Sequence, residues 1–450
     1  MSRRTRPVPP SQPALLSTDE APVVAAAPAR RAGGKKGARL READRSQIAW
    51  GRIDLDAQLP ADHAARAVWA VIERLDLSAL YVQIDARDAV AGAPAIDPKV
   101  LLALWVFATS EGEGSAREIQ RLTTLHAAYR WICGGVAVGY HTLSDFRSEQ
   151  GAVFDQLITQ VLALLMQQDL VDLSRIAQDG TRVRASAGAA SFRRANTLTA
   201  LMLEARAHLD AVTKEAHDPA ISARRAAARE RGAQDRIARL EAALAQVPEV
   251  TATKKRSGAK DTEPRVSTTD PDARVMKMPD GGFRPAYNAQ FATTTDAARV
   301  IVGVDVINRG SDAGQSTPML AQVEARTGVR PKELLVDGGY AQLAAIEHAG
   351  EQGVTVYAPV AKPRGEDPRD PHAPLPGDGP EVAAWRARMG EAEAKEIYKE
   401  RAATAETVNA DAKGARGLNV LRVRGLGSVL TSACLFALTY DILRLIASGG

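Results

Sequence analysis

The apolar positions between about residues 46 and 168 recur at the spacing of amphipathic helices. One clear run comprises Val68, Val71, Ile72 and Leu75, and a longer one comprises Val153, Phe154, Leu157, Ile158, Val161 and Leu165. Asp97-Pro98 can cap and begin a helix, and Ser115 with Glu118 forms a capping box. The pattern predicts an all-helical domain over residues 46–168.

The pattern changes after residue 169, where short apolar runs typical of strands alternate with helical segments. Ile176 to Asp179 reads as a strand that ends in an Asp-Gly turn, with Val183 in a return strand. Further strands are predicted at Tyr287–Thr294, Arg299–Ile307, around Leu334–Val336 and at Val354–Pro359. Helices are predicted near Met319–Arg326, near Gln342–Gly350 and from about Glu391 to Lys413, and terminal helices over Leu418–Ile446.

A charged, alanine-rich stretch interrupts this alternation over residues 195–274. Its apolar positions predict two helices packed as a hairpin, followed by a mobile linker at 251–265. The predicted fold class is therefore mixed α/β: an N-terminal all-helical domain, then a ribonuclease-H-like domain with a helical insertion after its first strand. The ribonuclease-H-like domain would consist of residues 169–194 and 275–450.

Charge separates the first residues from the rest of the chain. Residues 1–45 hold ten Lys and Arg against four Asp and Glu, whereas the whole chain of 450 residues has a net charge of +4. The composition of this basic tail predicts disorder. Two interpretations remain open for it: a solvated tail, or an arm that binds phosphates non-specifically.

The remaining composition is that of a soluble protein, with 45% hydrophobic and 25% charged residues. Its two cysteines, Cys133 and Cys434, match no zinc or redox spacing, which favours a reduced, cytoplasmic protein. No apolar run is expected to reach membrane-spanning length, so no membrane partner is predicted.

Three carboxylates are the candidate chemistry. Asp337 follows a buried strand and precedes two glycines, Asp179 ends the first predicted strand, and Glu406 lies on the last long helix. Carboxylates that meet at one sheet edge can hold paired Mg²⁺ ions for phosphodiester chemistry. Taken alone, Asp337-Gly338-Gly339 is more typical of a plain turn after a strand.

The last long helix carries Tyr398, Arg401, Glu406 and Lys413. Seven residues are close to two helical turns, so Glu406 and Lys413 are expected on one face. On an ideal α-helix Arg401 lies about 140° around from Glu406, so the two are not expected to serve the same phosphate. The alternative interpretation of these charges is a solvated, ion-paired helix surface.

Taken together, these motifs resemble those of DDE transposases from bacterial insertion sequences. The resemblance rests on Asp179-Gly180-Thr181, Asp337-Gly338-Gly339-Tyr340 and the helix series, and also on His141–Arg147, Asp270–Arg274 and Tyr287–Gln290. A departure is Asn409-Ala410, where the family usually has an aromatic residue and glycine. The neighbouring Glu400 is the rival third acid.

The resemblance implies that Asp179, Asp337 and Glu406 bind two Mg²⁺ ions, with Mn²⁺ able to substitute. It also implies that Tyr398, Arg401 and Lys413 contact DNA. The expected activity is binding of terminal inverted repeats, then strand cleavage and strand transfer, by a homodimer in the DNA complex. The helical domain 46–168 would serve DNA binding or dimerisation, in the cytoplasm at the bacterial nucleoid. Two alternatives are a non-catalytic DNA-binding derivative and a ribonuclease-H-like nuclease that cuts without joining.

Overall fold

The first part of the fold is helical, as the sequence pattern predicts. The computed structural model describes residues 54–84, 94–216, 222–256, 258, 263–362 and 369–449. The predicted basic tail 1–45 and residues 46–53 lie outside this part. The helices in this region are α1 (Ala64–Glu73), α2 (Ser78–Val82), α3 (Pro98–Ser110), α4 (Ala116–Leu125), α5 (Ala127–Cys133), α6 (Tyr140–Glu149) and α7 (Gly151–Gln167). Asp97 caps α3 as predicted, since it accepts from the Lys99 amide, and Ser115 caps α4 by accepting from the Glu118 amide. The predicted capping box is only half formed, because the Ser115 amide donates to Glu113 and not to Glu118.

A mixed sheet of six strands follows the helices. Its strands are β1 (Arg175–Arg184), β4 (Arg274–Lys277), β5 (Phe283–Thr294), β6 (Ile301–Ile307), β7 (Glu333–Leu335) and β8 (Thr355–Tyr357). The order is β4-β5-β1-β7-β8, and β6 also pairs with β5. Strand β5 is antiparallel to both of its neighbours β1 and β6, whereas β1, β7 and β8 run parallel to one another. The mixed α+β class is therefore confirmed, and the sheet is where strands from distant parts of the chain meet.

Helices connect and cover the later strands. They are α10 (Ser316–Thr327), α11 (Leu343–Glu351), α12 (Pro380–Gly390), α13 (Ala392–Arg401), α14 (Thr407–Gly414) and α15 (Leu426–Ala447). A five-residue π-helical segment, Ala402–Glu406, joins α13 to α14 without a break. The predicted last long helix is thus present but not a uniform α-helix, and a single helix, α15, replaces the predicted terminal helices.

The inserted hairpin forms a small core of its own. Helices α8 (Ala195–Glu215) and α9 (Ala223–Arg256) pack together beside a two-stranded sheet of β2 (Phe192–Arg194) and β3 (Arg265–Ser267). Buried Leu198, Met202 and Leu240 belong to this core. The predicted mobile linker is wrong for residues 251–256, because α9 continues through them. The helical pattern there is hidden by charged residues that need no buried face.

Helix α15 lies in the centre of the main core. It packs against α1, α3, α6, α7 and β6. It is long and apolar enough to cross a membrane by composition, which corrects the expectation that no apolar run reaches that length, yet 72% of its apolar window is buried inside the protein. The carboxylates of Asp270 and Asp272 accept from the amides of Gly425 and Leu426 at its first turn. This is the end of a helix at which negative charge is stabilising.

One ionisable group is enclosed in that core. Asp441 of α15 is fully buried, and its Oδ1 accepts a hydrogen bond from the Ile301 amide at 2.9 Å. Burial raises the pKa of Asp441 well above its ordinary value of 3.8, against the opposing charges of Arg326 and Arg444. The folded protein therefore holds this proton more tightly than the unfolded chain does.

The Asp441→Asn variant is expected to gain stability relative to the parent as pH rises. A raised folded-state pKa means that the parent loses stability as pH rises above the unfolded value, because the unfolded carboxyl ionises first. Asparagine keeps an acceptor for the Ile301 amide and does not ionise. Free energies of unfolding measured for both proteins at pH 5 and pH 8 test this. A difference between the two proteins that stays constant with pH would contradict it.

Candidate active site

Strand β1 passes through Asp179 and Gly180 without turning. The predicted Asp-Gly turn is wrong here, because β5 pairs with β1 continuously from Ile176 to Arg184. Gly180 is required for another reason. A Cβ at this position would lie 2.3 Å from the Gln290 amide nitrogen and 2.4 Å from an Asp312 carboxylate oxygen. The glycine lets polar side chains pack directly against the strand that carries Asp179.

Asp179 and Asp337 occupy equivalent places on neighbouring parallel strands. The last residue pair between β1 and β7 is Ala177 with Leu335, and each aspartate comes two residues later. Beyond that pair β1 and β7 are no longer paired and separate, whereas β1 continues along β5 to Arg184. The two carboxylates are thus placed at the opening between strands, where α/β proteins often bind ligands.

Burial and neighbouring charges shift the pKa of Asp179. Its side chain is 16% exposed. Burial, and to a lesser extent the charges of Asp337 and Asp312, raise the pKa of Asp179 to about 6, although nearby Arg401 opposes the shift. The same three aspartates also help burial to raise the pKa of Tyr340. The site therefore concentrates negative charge in a partly enclosed space.

Asp312 is a carboxylate of this site that the sequence analysis missed. It follows β6, and its Oδ1 accepts from the side-chain amides of Asn288 at 2.6 Å and Gln290 at 2.7 Å. Gln290 in turn accepts from the Tyr340 hydroxyl. A usable signal was present, since Ser311-Asp312-Ala313-Gly314 follows an apolar strand much as Asp337-Gly338-Gly339 does. The motif residues Tyr340, Asn288 and Gln290 thus form a polar support beneath the aspartates.

The π-helical segment brings Arg401 and Glu406 together. The Arg401 Nη2 lies 3.1 Å from Glu406 Oε1, and its Nη1 lies 3.5 Å from Asp179 Oδ2. The expectation that Arg401 lies far around the helix from Glu406 is wrong, because it assumed an ideal α-helix. A π-turn closes between residues five apart, which is the spacing of Arg401 and Glu406. One guanidinium therefore bridges two of the predicted acids.

The two glutamates of this region have different partners. Glu400 pairs with Arg175 Nη1 at 2.7 Å, and Arg175 also pairs with Glu333 of β7, so Glu400 joins α13 to the sheet. Glu406 is 56% exposed and faces Asp179 through Arg401. The choice of Glu406 over Glu400 as third acid stays a prediction.

Three other residues of the last helices differ in exposure. Asn409 is buried and donates to Asp179 Oδ2 at 3.0 Å, so the departure from the family pattern is itself part of the site. Tyr398 is partly buried, with the Arg401 guanidinium 5.8 Å from its ring centroid. Lys413 is partly exposed on α14 and forms no hydrogen bond or ion pair with the described residues. Of the three predicted DNA contacts, Lys413 is the one whose charge is free.

The carboxylates of this site fit a divalent cation in part. Asp179 and Asp337 offer the oxygen ligands that Mg²⁺ prefers, and a cation would favour the ionised form of Asp179, whose pKa is raised by burial and, to a lesser extent, by the charges of Asp337 and Asp312. Glu406 would have to exchange its pairing with Arg401 to join them. Within the described part of the chain, no group of three or more His, Cys, Asp or Glu side chains is arranged to hold a metal ion. The aspartates thus fit a cation, and the third ligand is not in place.

Comparisons with known families agree with the motifs. Residues 53–149 match the family model described as "Transposase domain (DUF772)", and residues 380–446 match the model "Transposase DDE domain". No curated protein and no solved structure matches the chain. Two separate regions of the chain are thus similar to transposase domains: the early helices and the helices that carry Arg401, Glu406 and α15. These matches support its assignment to the DDE-type transposases of insertion elements.

Proposed function

We propose that the protein binds the terminal inverted repeats of its insertion element, cleaves DNA strands there and joins the freed 3′-hydroxyl to target DNA. The observation that carries the proposal is the equivalent placement of Asp179 and Asp337 where β1 and β7 separate. Glu406 is linked to the same point through Arg401. This is a carboxylate arrangement suited to phosphodiester chemistry.

The strand order supports a ribonuclease-H-like catalytic domain. Strand β5 pairs antiparallel with both β1 and β6, and β7 and β8 extend the sheet in parallel on the other side of β1. The hairpin α8–α9 is inserted after β1, where the insertion was predicted. In this proposed domain Asp179 lies on β1, Asp337 follows the adjacent strand β7, and Glu406 lies at the end of the π-helical segment.

Each site residue has a proposed task. Asp179 and Asp337, joined by Glu406, would hold divalent cations, with two Mg²⁺ ions proposed and Mn²⁺ able to substitute. When bound, such ions supply Lewis-acid stabilisation of the attacking and leaving oxygens. Lys413 provides a point charge for a DNA phosphate, and Arg401 with Tyr398 orients the helix that carries Glu406. Asn409 orients Asp179 through its amide.

The proposed partners follow from the chemistry. Cleaving two element ends together needs two active sites, so we propose a homodimer in the DNA complex. The described helices α1–α7 would contribute to end recognition or to this dimer contact. Cytoplasmic location at the nucleoid is proposed with it, since DNA is the substrate.

A strand-cleavage assay tests the function. The full chain is mixed with a duplex that ends in the inverted repeats flanking its gene, with Mg²⁺, with Mn²⁺ or with a chelator. We expect a nick at the repeat end and a joined product with a target plasmid, both lost in the chelator. A duplex with scrambled repeats is the matched control.

Two other outcomes would replace the proposal. Nicked ends without a joined product would identify a nuclease that cuts without joining. End binding with no nick in either cation would identify a non-catalytic DNA-binding derivative. The second outcome has a structural basis, because Arg401 occupies the position between Asp179 and Glu406.

A further inference from the structure

An arginine-lined cleft lies where the inserted hairpin meets the rest of the protein. Its volume is about 510 Å³. Its walls come from β2, α8, α9, the residues after β3 and the residues before α15. The described lining residues are Arg193, Leu201, Arg236, Arg239, Leu240, Thr268, Thr269 and Arg424. Four guanidiniums and no carboxylate line this concavity, so it carries concentrated positive charge.

Three cleft arginines have no acidic partner. The exposed side chains of Arg193, Arg236 and Arg239 form no ion pair or hydrogen bond with the residues that the structure describes. Three other arginines of the insertion are paired with acids: Arg194 with Glu263, Arg206 with Glu241 and Arg229 with Glu215. Like charges gathered without a counter-charge repel one another, and a bound polyanion would remove that repulsion.

Strand β1 connects the cleft to the candidate active site, because Asp179 lies on this strand and the cleft residue Arg424 contacts the chain just after it. Arg424 Nε donates to the Ser186 carbonyl at 3.2 Å, just beyond the end of β1. Along the same strand, Asp179 and Arg184 are separated by about 17 Å at the usual rise per residue. Successive base pairs of a duplex are about 3.4 Å apart. The stretch of β1 between Asp179 and the edge of the cleft is thus about as long as five base pairs of a duplex.

We infer that this cleft binds backbone phosphates of double-stranded DNA, some base pairs away from the bond that is cleaved. Guanidinium groups grip phosphate oxygens through two parallel hydrogen bonds, so Arg236 and Arg239, one helical turn apart on α9, can hold neighbouring phosphates. This inference rests on the proposed function, in that it takes DNA as the substrate of the same protein. It gives the inserted hairpin the task of holding the DNA that flanks the cleavage point.

Salt-dependent binding tests the inference without any cleavage. The full chain binds a fluorescent duplex of random sequence in metal-free buffer, and the dissociation constant is measured against salt concentration. The double variant Arg236→Gln, Arg239→Gln is expected to reduce the slope of log affinity against log salt by about 1.8, since each lost phosphate contact contributes about 0.9. Its affinity at physiological salt should fall with it.

The matched control carries the same charge change on the same helix. Arg224 and Arg231 are exposed on α9 and do not line the cleft, so Arg224→Gln, Arg231→Gln should keep the parent slope. Thermal unfolding of both variants checks that they remain folded. An unchanged slope in the cleft variant, or an equal fall in both variants, would overturn the inference. So would a slope change seen with an RNA duplex and not with DNA.

The result can be separated from the proposed function. If the cleft variant has a reduced salt slope but the parent never cleaves DNA, DNA binding by the cleft is supported and the proposed transposase activity is contradicted. If the parent cleaves DNA normally but the cleft variant keeps the parent slope, the transposase activity is supported and DNA binding by the cleft is contradicted.

Discussion

Replacing Asp179 by asparagine is expected to abolish strand cleavage while leaving binding to the element ends largely intact. Asparagine is nearly the same size, and its oxygen can still accept from the Gly180 amide. Its NH2 group cannot accept from Asn409 as the carboxylate does, so the Asn409 amide must turn to present its oxygen instead. The loss of the carboxylate removes a cation ligand, and stabilisation by a bound cation is worth several kcal/mol. A loss of about 4 kcal/mol corresponds to a rate about 10³-fold lower. Cleavage rates and end binding of the two proteins, measured side by side, test this.

The two glutamates of the last helices provide the control. Glu406→Gln should reduce cleavage as Asp179→Asn does, whereas Glu400→Gln should retain it, because Glu400 pairs with Arg175 away from the aspartates. Full activity of Glu406→Gln together with an inactive, folded Glu400→Gln would show that the third acid is Glu400. Equal end binding by all variants would confirm that the losses concern chemistry.

Phe436→Ala is expected to cause one of the largest losses of stability in the chain. Phe436 lies on α15 at 1% exposure, with its ring 5.3 Å from that of Phe291 in an edge-on contact. Phe291 is the register partner of Asp179. Removing a buried phenylalanine leaves a cavity and lowers the free energy of unfolding by about 3–5 kcal/mol. Chemical denaturation followed by circular dichroism measures the change.

Leu203 of α8 supplies the comparison, because its side chain is 67% exposed. Leu203→Ala should change the free energy of unfolding by no more than about 0.5 kcal/mol. A loss for Phe436→Ala as small as that for Leu203→Ala would mean that α15 does not organise the core.

Elements with a strong periodic pattern could be predicted from the sequence. The helices over residues 64–167, the α8–α9 hairpin and strands β5 and β6 each bury one face or both, and burial leaves a regular apolar spacing. The strand conformation at Asp179-Gly180 could not be predicted from such a pattern. A glycine after an aspartate is typical of a turn, and only the pairing of β1 with β5, more than a hundred residues away, makes it a strand interior.

The candidate site divides in the same manner. Asp179 and Asp337 could be predicted from the sequence because each follows a short apolar run. Asp312 also follows an apolar strand, but its place beside Asp179, like that of Asn409, depends on long-range packing of the loop after β6 and of α14. The pairing of Arg401 with Glu406 depends on a π-turn, and an ideal helix projection places them apart. The acidic residue types thus indicated a cation-binding site, whereas the π-helical segment determined that Arg401 lies beside Glu406.

The central position of α15 in the core also has a consequence for folding during synthesis on the ribosome. Helix α15 begins at Leu426, which is 259 residues after Gln167 at the end of α7. At ordinary rates of synthesis this separation lasts roughly 13–50 s. During that interval the apolar surfaces of α3, α6 and α7 that α15 covers have no native partner. The nascent chain therefore exposes apolar faces of its early helices until α15 is synthesised. During this interval a chaperone would bind those faces, or two nascent chains would associate through them.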